Sequence, residues 1–285
     1  MAEIYNIVDE LEVSDSCLCF LTPNAKVLEF GSATGYATRY MTEKYNCKVT
    51  CIEISPQMAE IGRNFCNKMI VADIEADEWE KELESKYDYI IFADVLEHLR
   101  KPQLVIEKAK QFLKKDGYIL TSIPNIGHNA IIMNLRNGIF EYTEVGLLDN
   151  THIHFLTRKS ISEIFESNGL YCVAEEDKVI RPCNTELECY YIQNPIMALS
   201  LIGKKDGHVY RYVQKWSFNK PEELNGKIIG ERFSIIEKLF ELGYDFACYA
   251  KRKLNISTPK IIDILVQRPI AKKDKKRYEK YNSKS

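Results

Sequence analysis

The sequence predicts an α/β fold, a mostly parallel sheet with helices on both faces, a lid insertion after the fifth strand and an elaborated C-terminal part. Three observations carry this. Short apolar runs alternate with helical stretches between residues 26 and 123, the rhythm of a parallel sheet wound through crossover helices. A Gly-bearing turn, Gly31-Ser32-Ala33-Thr34-Gly35, joins the first of those runs to its helix. The composition, 45% apolar and 28% charged over 285 residues, is that of a globular chain and excludes a disordered or low-complexity one.

Each element has a local reason. Residues 1–20 form a short acidic segment of helical character, and Leu21-Thr22-Pro23-Asn24 ends it as a turn. Lys26–Phe30 is the first strand, and Ala37, Tyr40 and Met41 mark one face of the helix after the glycine turn. Residues 48–54, KVTCIEI, read as a β-branched second strand. Ser55 caps the following helix and Pro56 takes its first position. Residues 69–72 and 87–92 supply strands three and four, and residues 103–113 a helix that stops at Lys114-Lys115-Asp116-Gly117. Strand five covers 117–123 and ends at Pro124.

Beyond residue 124 the alternation breaks. A helical patch at 129–135 and an aromatic, polar loop make up an insertion, 126–156, expected to roof the ligand crevice. Thr157 caps a helix that closes at Gly169, and 171–174 is a sixth strand, so the core spans 21–179. Residues 180–220 are weakly patterned; 229–242 read as a helix and 244–250 as a last strand, within a C-terminal elaboration of 180–252. The remainder, 253–285, is a basic extension whose last sixteen residues carry seven bases against two acids and fray in solvent.

Charge and cysteine usage narrow the function. The net charge is −2, and without its +5 tail the chain stands at −7, which gives it no general attraction to nucleic acid. No apolar run is long enough to span a membrane and the N-terminus is acidic, so the expectation is a cytoplasmic protein. Nine dispersed cysteines without a CxxC pair read as reduced thiols.

Four strand ends each offer an acid to one crevice. Glu29, two residues before Gly31, suits a ligand with a cationic amino group and is unsuited to a pyrophosphate. Glu53 lies 22 residues after Gly31, where a carboxylate can accept both hydroxyls of a ribose. Asp73 can reach an adenine amine beside Ala72 and Ile74, and Asp94 ends strand four next to Val95 and His98. Taken singly, each acid reads equally as a helix cap or a turn residue. Their joint placement reads as a nucleoside-binding α/β domain.

These segments resemble the class I S-adenosylmethionine-dependent methyltransferases across residues 24–124: VLEFGSATGYAT, CIEISPQM, ADIEA, YDYIIFADVLEHLRKP and KKDGYILTSIPN. The resemblance implies a Rossmann-like, seven-stranded sheet whose last strand is antiparallel, and S-adenosyl-L-methionine as cofactor. It implies that Glu29 with Gly31, Ser32, Ala33, Gly35 and Tyr36 holds the methionine portion. Glu53 and Ile54 would hold the ribose, Asp73 and Ile74 the adenine, and Asp94, Val95 and His98 the amino-acid side. The family usually has glycine where Ala33 stands and often cysteine where Ser32 stands. Pro124-Asn125 and the stretch Asp149 to Thr157, DNTHIHFLT, resemble a branch associated with bacterial glycan or cell-envelope sugar synthesis.

Methyl transfer to a hydroxyl requires removal of a proton, a task suited to histidine near neutrality. His152 and His154 flank Ile153, and in an extended chain would share one face with Asp149 nearby. These three are the candidates for acceptor contact or base, with a loop brace and metal ligation as the other readings; no metal is assigned. The expected reaction is O-methylation of a sugar or glycan intermediate. A small metabolite, quinone or phenol-like acceptor and an inactive methyltransferase-like scaffold remain alternatives, and a homodimer is left open.

Overall fold

The computed structural model describes residues 17–187, 199–201, 203–221 and 243. The expected N-terminal segment up to residue 16, the helix at 229–242, the strand at 244–250 and the basic extension therefore lie outside the described residues. Those described fall into two compact units. The first comprises 17–126, 142–179 and 209–221, and the second 127–141, 180–187, 199–201, 203–208 and 243.

The first unit is the sheet. Its strands are β1 (Lys26–Phe30), β2 (Lys48–Glu53), β3 (Lys68–Val71), β4 (Tyr87–Ala93), β5 (Leu113–Pro124), β6 (Tyr171–Glu175), β7 (Lys178–Val179) and β8 (Val209–Ser217). The path runs β3-β2-β1-β4-β5-β8-β6, with the two-residue β7 also paired to β8. The five strands from β3 to β5 are mutually parallel, and β8 is antiparallel to both β5 and β6. The antiparallel position expected for 244–250 is thus filled by Val209–Ser217. Arg211 and Lys215 within β8 disguise it: the Lys215 ammonium sits over the Tyr118 ring, 3.7 Å from its centroid, so a buried strand reads as polar.

Both faces of the sheet are buried, which explains strands that are apolar almost throughout. On one face Val27, Val49, Cys51, Met69 and Ile91 pack with Met41 of α1 (Tyr36–Tyr45) and Ala59 of α2 (Pro56–Gly62). On the other, Leu28, Phe30, Ile52, Ile90 and Phe92 pack with Val105 of α3 (Pro102–Ala109) and with Ile161 and Phe165 of a later helix, Arg158–Glu166. Phe165 stacks on Trp216 of β8 at 4.2 Å, and the indole N–H donates to Thr121 Oγ1 at 3.1 Å. Ser55 caps α2 as expected, accepting from the Met58 N–H.

One boundary differs from its sequence expectation. Helix α3 ends at Ala109, and β5 begins at Leu113, so the Lys114–Gly117 stretch is strand. A Cβ on Gly117 would stand 3.0 Å from the Asp88 carbonyl oxygen; this glycine permits close strand approach and does not stop a helix.

The second unit joins segments distant in sequence. Its helix α4 (Asn129–Arg136) is capped by His128, whose Nδ1 accepts from the Ala130 N–H while Nε2 bonds the Ile180 carbonyl at 2.8 Å. The Asn129 N–H donates to Gly207 O at 2.8 Å and its side-chain amide to Leu201 O at 3.2 Å. The expected insertion therefore divides: 127–141 belongs with the described residues of 180–187, 199–201 and 203–208, and 142–156 with the sheet. The helix after it, α5 (Arg158–Glu166), starts with a complete capping box between Thr157 and Ser160.

Candidate active site

The carboxyl ends of β1, β2, β3 and β4 bring the four acids to one edge of the parallel sheet. After β1 the chain turns through Gly31 at φ +67 and Gly35 at φ +81. A Cβ on Gly31 would lie 2.7 Å from Val95 Cγ2, and one on Gly35 2.8 Å from the Gly62 Cα, so neither position admits a larger residue unchanged. Ala33, where the resembled family usually carries glycine, adopts φ +47. Glu53 holds it there: Oε2 accepts the Ala33 N–H at 2.8 Å while Oε1 accepts that of Ser55 at 2.9 Å. A carboxylate has about four lone-pair positions, so Glu53 retains two for hydroxyl donors.

Glu29 lies under this loop, 3% exposed, on the face covered by α1. Its Oε2 accepts from Thr38 Oγ1 at 2.5 Å and from the Cys51 thiol at 3.5 Å. Burial raises its pKa to about 7 against the lowering effect of those hydrogen bonds. Ser32 Oγ is buried with no hydrogen-bond partner. Tyr36 is exposed, and Ile54 presents 64% of its surface just past β2. Asp73 is half-buried; its Oδ1 accepts the Glu75 N–H, and Ile74 lies beside it.

At the end of β4, Asp94 takes φ +52 and its N–H donates to the Ser122 carbonyl at 2.9 Å. Non-glycine residues in this region are held by their surroundings and cluster at functional sites. Arg211 of β8 pairs with Asp94 Oδ2 at 3.0 Å, and that carboxylate raises the guanidinium's pKa. Glu97, within a short turn Leu96–His98, is 1% exposed. Burial, then the Asp94 charge, pushes its carboxyl well above the usual range.

The three residues proposed for acceptor chemistry separate. His152 is buried, its Nε2 4.0 Å from Glu97 Oε1 and its ring 4.8 Å from that of His98. His154 turns away, with Nε2 3.2 Å from the Arg100 carbonyl. The two imidazoles do not share a face, because the N–H groups of Ile153 and His154 both bond the Glu97 carbonyl and bend the chain out of extension. Asp149 Oδ1 accepts from the N–H and hydroxyl of Thr151, bracing the loop. His98 Nδ1 faces the Thr151 carbonyl at 3.2 Å, so that nitrogen carries the proton.

Glu97 and Arg211 escaped sequence reading. Glu97 had a signal, three residues after Asp94 on one helical turn. Arg211 had none, since its partner Asp94 is distant in sequence and only the β5–β8 pairing joins them.

A Gly-turn and acids at successive strand ends, on a sheet with one antiparallel strand near its edge, define a Rossmann-like class that binds a nucleoside cofactor. Residues 12–175 match the model of the methyltransferase domain family. The chain is 31% identical over 267 residues to a malonyl-[acyl-carrier protein] O-methyltransferase of Acetivibrio thermocellus, covering 84% of each. The protein belongs to this family and is an S-adenosylmethionine-dependent methyltransferase. Its fold is shared with a Thermotoga maritima SAM-dependent methyltransferase described as a possible histamine N-methyltransferase, at 16% identity and TM-score 0.50 over 73% of this chain and 88% of that one. It is shared equally with the CcbJ methyltransferase of Streptomyces caelestis, at 12% identity and TM-score 0.50 over 76% and 95%.

The residues fit that cofactor: Ser32 offers an unpaired buried hydroxyl, Glu53 spare lone pairs and Ile54 an open apolar surface. Among the described residues no helix is long and apolar enough to cross a membrane.

Proposed function

We propose that the protein methylates a hydroxyl oxygen of a sugar or glycan intermediate. When bound, S-adenosylmethionine supplies an electrophilic methyl group on a sulfonium. In this reading Gly31, Ser32, Ala33, Gly35 and Tyr36 surround its methionine part, Glu53 and Ile54 its ribose, and Asp73 and Ile74 its adenine, with Asp94 and Val95 on the amino-acid side. The protein's own contribution is to align the acceptor and exclude water.

The observation that carries the acceptor chemistry is the cluster of buried Glu97 and His152 with the more exposed His98, next to Asp94. Burial, then the neighbouring His98, lowers the His152 pKa, so a neutral imidazole lone pair is available there at physiological pH. The hydroxyl proton is lost at this cluster. Tyr142 and Phe155 add a tilted ring pair at 6.3 Å, and Phe155 stands 6.4 Å from His152. Tyr142 is 58% exposed, a face on which a sugar ring can stack. His154 and Asp149 serve as supports of the loop that carries His152.

A second reading follows from Arg211. Its partly exposed guanidinium suits a carboxylate acceptor, and the Acetivibrio relative is named a malonyl-[acyl-carrier protein] O-methyltransferase. A mass-spectrometric assay with sugar hydroxyls and malonyl thioesters side by side separates the two. Methylation of sugars, reduced roughly 100-fold or more in kcat by His152→Ala with cofactor affinity kept, is expected. Exclusive turnover of the thioester, lost in Arg211→Ala, favours the second reading.

A further inference from the structure

We infer that Glu97, His98 and His152 form a divalent-cation site that receives the acceptor oxygen. One donor atom from each lies within 4.8 Å of the other two. Metal bonds to nitrogen and oxygen of about 2.0–2.2 Å place donors roughly 3–3.5 Å apart, so modest side-chain rotations close the set.

The second observation is Glu97 itself. Its side chain is buried, yet neither carboxylate oxygen is hydrogen-bonded by another residue; only its own backbone N–H is near. A buried carboxylate without partners is costly, and a cation removes that cost. Both imidazoles are already oriented as ligands. The His98 Nδ1–H is held by Thr151, through its carbonyl at 3.2 Å and its hydroxyl at 3.1 Å, leaving Nε2 with its lone pair. The His152 ring is bonded by the Leu147 backbone, and its Nε2 is the atom 4.0 Å from Glu97 Oε1. Backbone carbonyls that fix the far nitrogen of a histidine are the usual outer support of a metal ligand.

Charge agrees. Asp94 and Asp149 add negative charge beside the cluster, opposed by the Arg211 guanidinium, and a divalent ion offsets that charge. Two nitrogens and one carboxylate suit Mn²⁺, Co²⁺ or Zn²⁺ better than Ca²⁺. Three protein ligands leave a coordination position open, and an oxygen bound there becomes more acidic. With the cation bound, the His152 lone pair is a ligand and no longer a proton acceptor, and the acceptor proton passes to water. This role in acceptor activation rests on the hydroxyl-methylation reading above; the cation site itself does not.

The test is titration of untagged, chelator-treated protein with Mn²⁺, Zn²⁺ and Ca²⁺ separately, followed calorimetrically and by metal content after dialysis. S-adenosylhomocysteine binding is measured on the same samples. One equivalent of Mn²⁺ or Zn²⁺ and none of Ca²⁺ is expected. Binding weakens at least tenfold in Glu97→Gln and in His152→Ala. Retained S-adenosylhomocysteine binding shows that each variant is folded. Absence of one-equivalent Mn²⁺ or Zn²⁺ binding, or binding indifferent to both substitutions, overturns the cation site while leaving the methyltransferase intact. A cation site that holds while sugars go unmethylated removes the substrate reading alone.

Discussion

Glu29 shows how far a single residue's position in the fold can carry its chemistry from its identity. Its carboxyl, buried beneath the glycine loop, has a pKa of about 7, against an ordinary value of 4.5. Between those two values the folded state keeps a proton that the unfolded chain has lost. Stability from this group is therefore full at low pH, falls as pH rises through the window and is level above it. Urea unfolding at pH 5 and pH 8 should show the wild type losing roughly 2.5 kcal/mol more between the two than Glu29→Gln. Equal losses would mean that the side chain stays hydrated. The acids were legible because each sits at the end of an apolar run, but burial was not. Nothing in the string distinguishes Glu29, hydrogen-bonded to Thr38, from Glu53, which holds the backbone of Ala33 and Ser55.

At the scale of elements, local signals were the dependable ones. The Thr157–Ser160 capping box opens α5 as its spacing indicated, and α5 delivers Phe165 to Trp216. Thr157→Ala should cost about 1 kcal/mol in denaturant midpoint analysis and Thr157→Ser much less, because the serine hydroxyl still accepts the Ser160 N–H. A loss in both variants alike would assign the effect to the threonine methyl group instead. Strand β8 was the element lost to pattern reading. It is buried on both sides between β5 and β6, so it lacks alternation, and its Arg211, Gln214 and Lys215 look like loop composition.

For the whole molecule, ligand linkage is the direct check. A ligand present at 100 times its dissociation constant stabilises the folded state by about 2.7 kcal/mol, which raises the melting temperature of a chain this size by roughly 4–5 °C. S-adenosylhomocysteine should produce that shift and NAD none. An equal shift with both would mean a crevice that reads only the shared adenosine and not the acids around it.

By itself the sequence determined the parallel core, the glycine turn and the acids at its strand ends, because these depend on neighbours within a few residues. Only the tertiary structure decided which distant groups meet. Arg211 reaches Asp94 through the β5–β8 pairing, the 127–141 segment joins Ile180 and Gly207, and His152 parts from His154 to meet Glu97 and His98. The physical reason is common to all three. Hydrogen-bond periodicity and turn chemistry are written locally, whereas a charged group's partner is set by which strands and loops the hydrophobic core brings together.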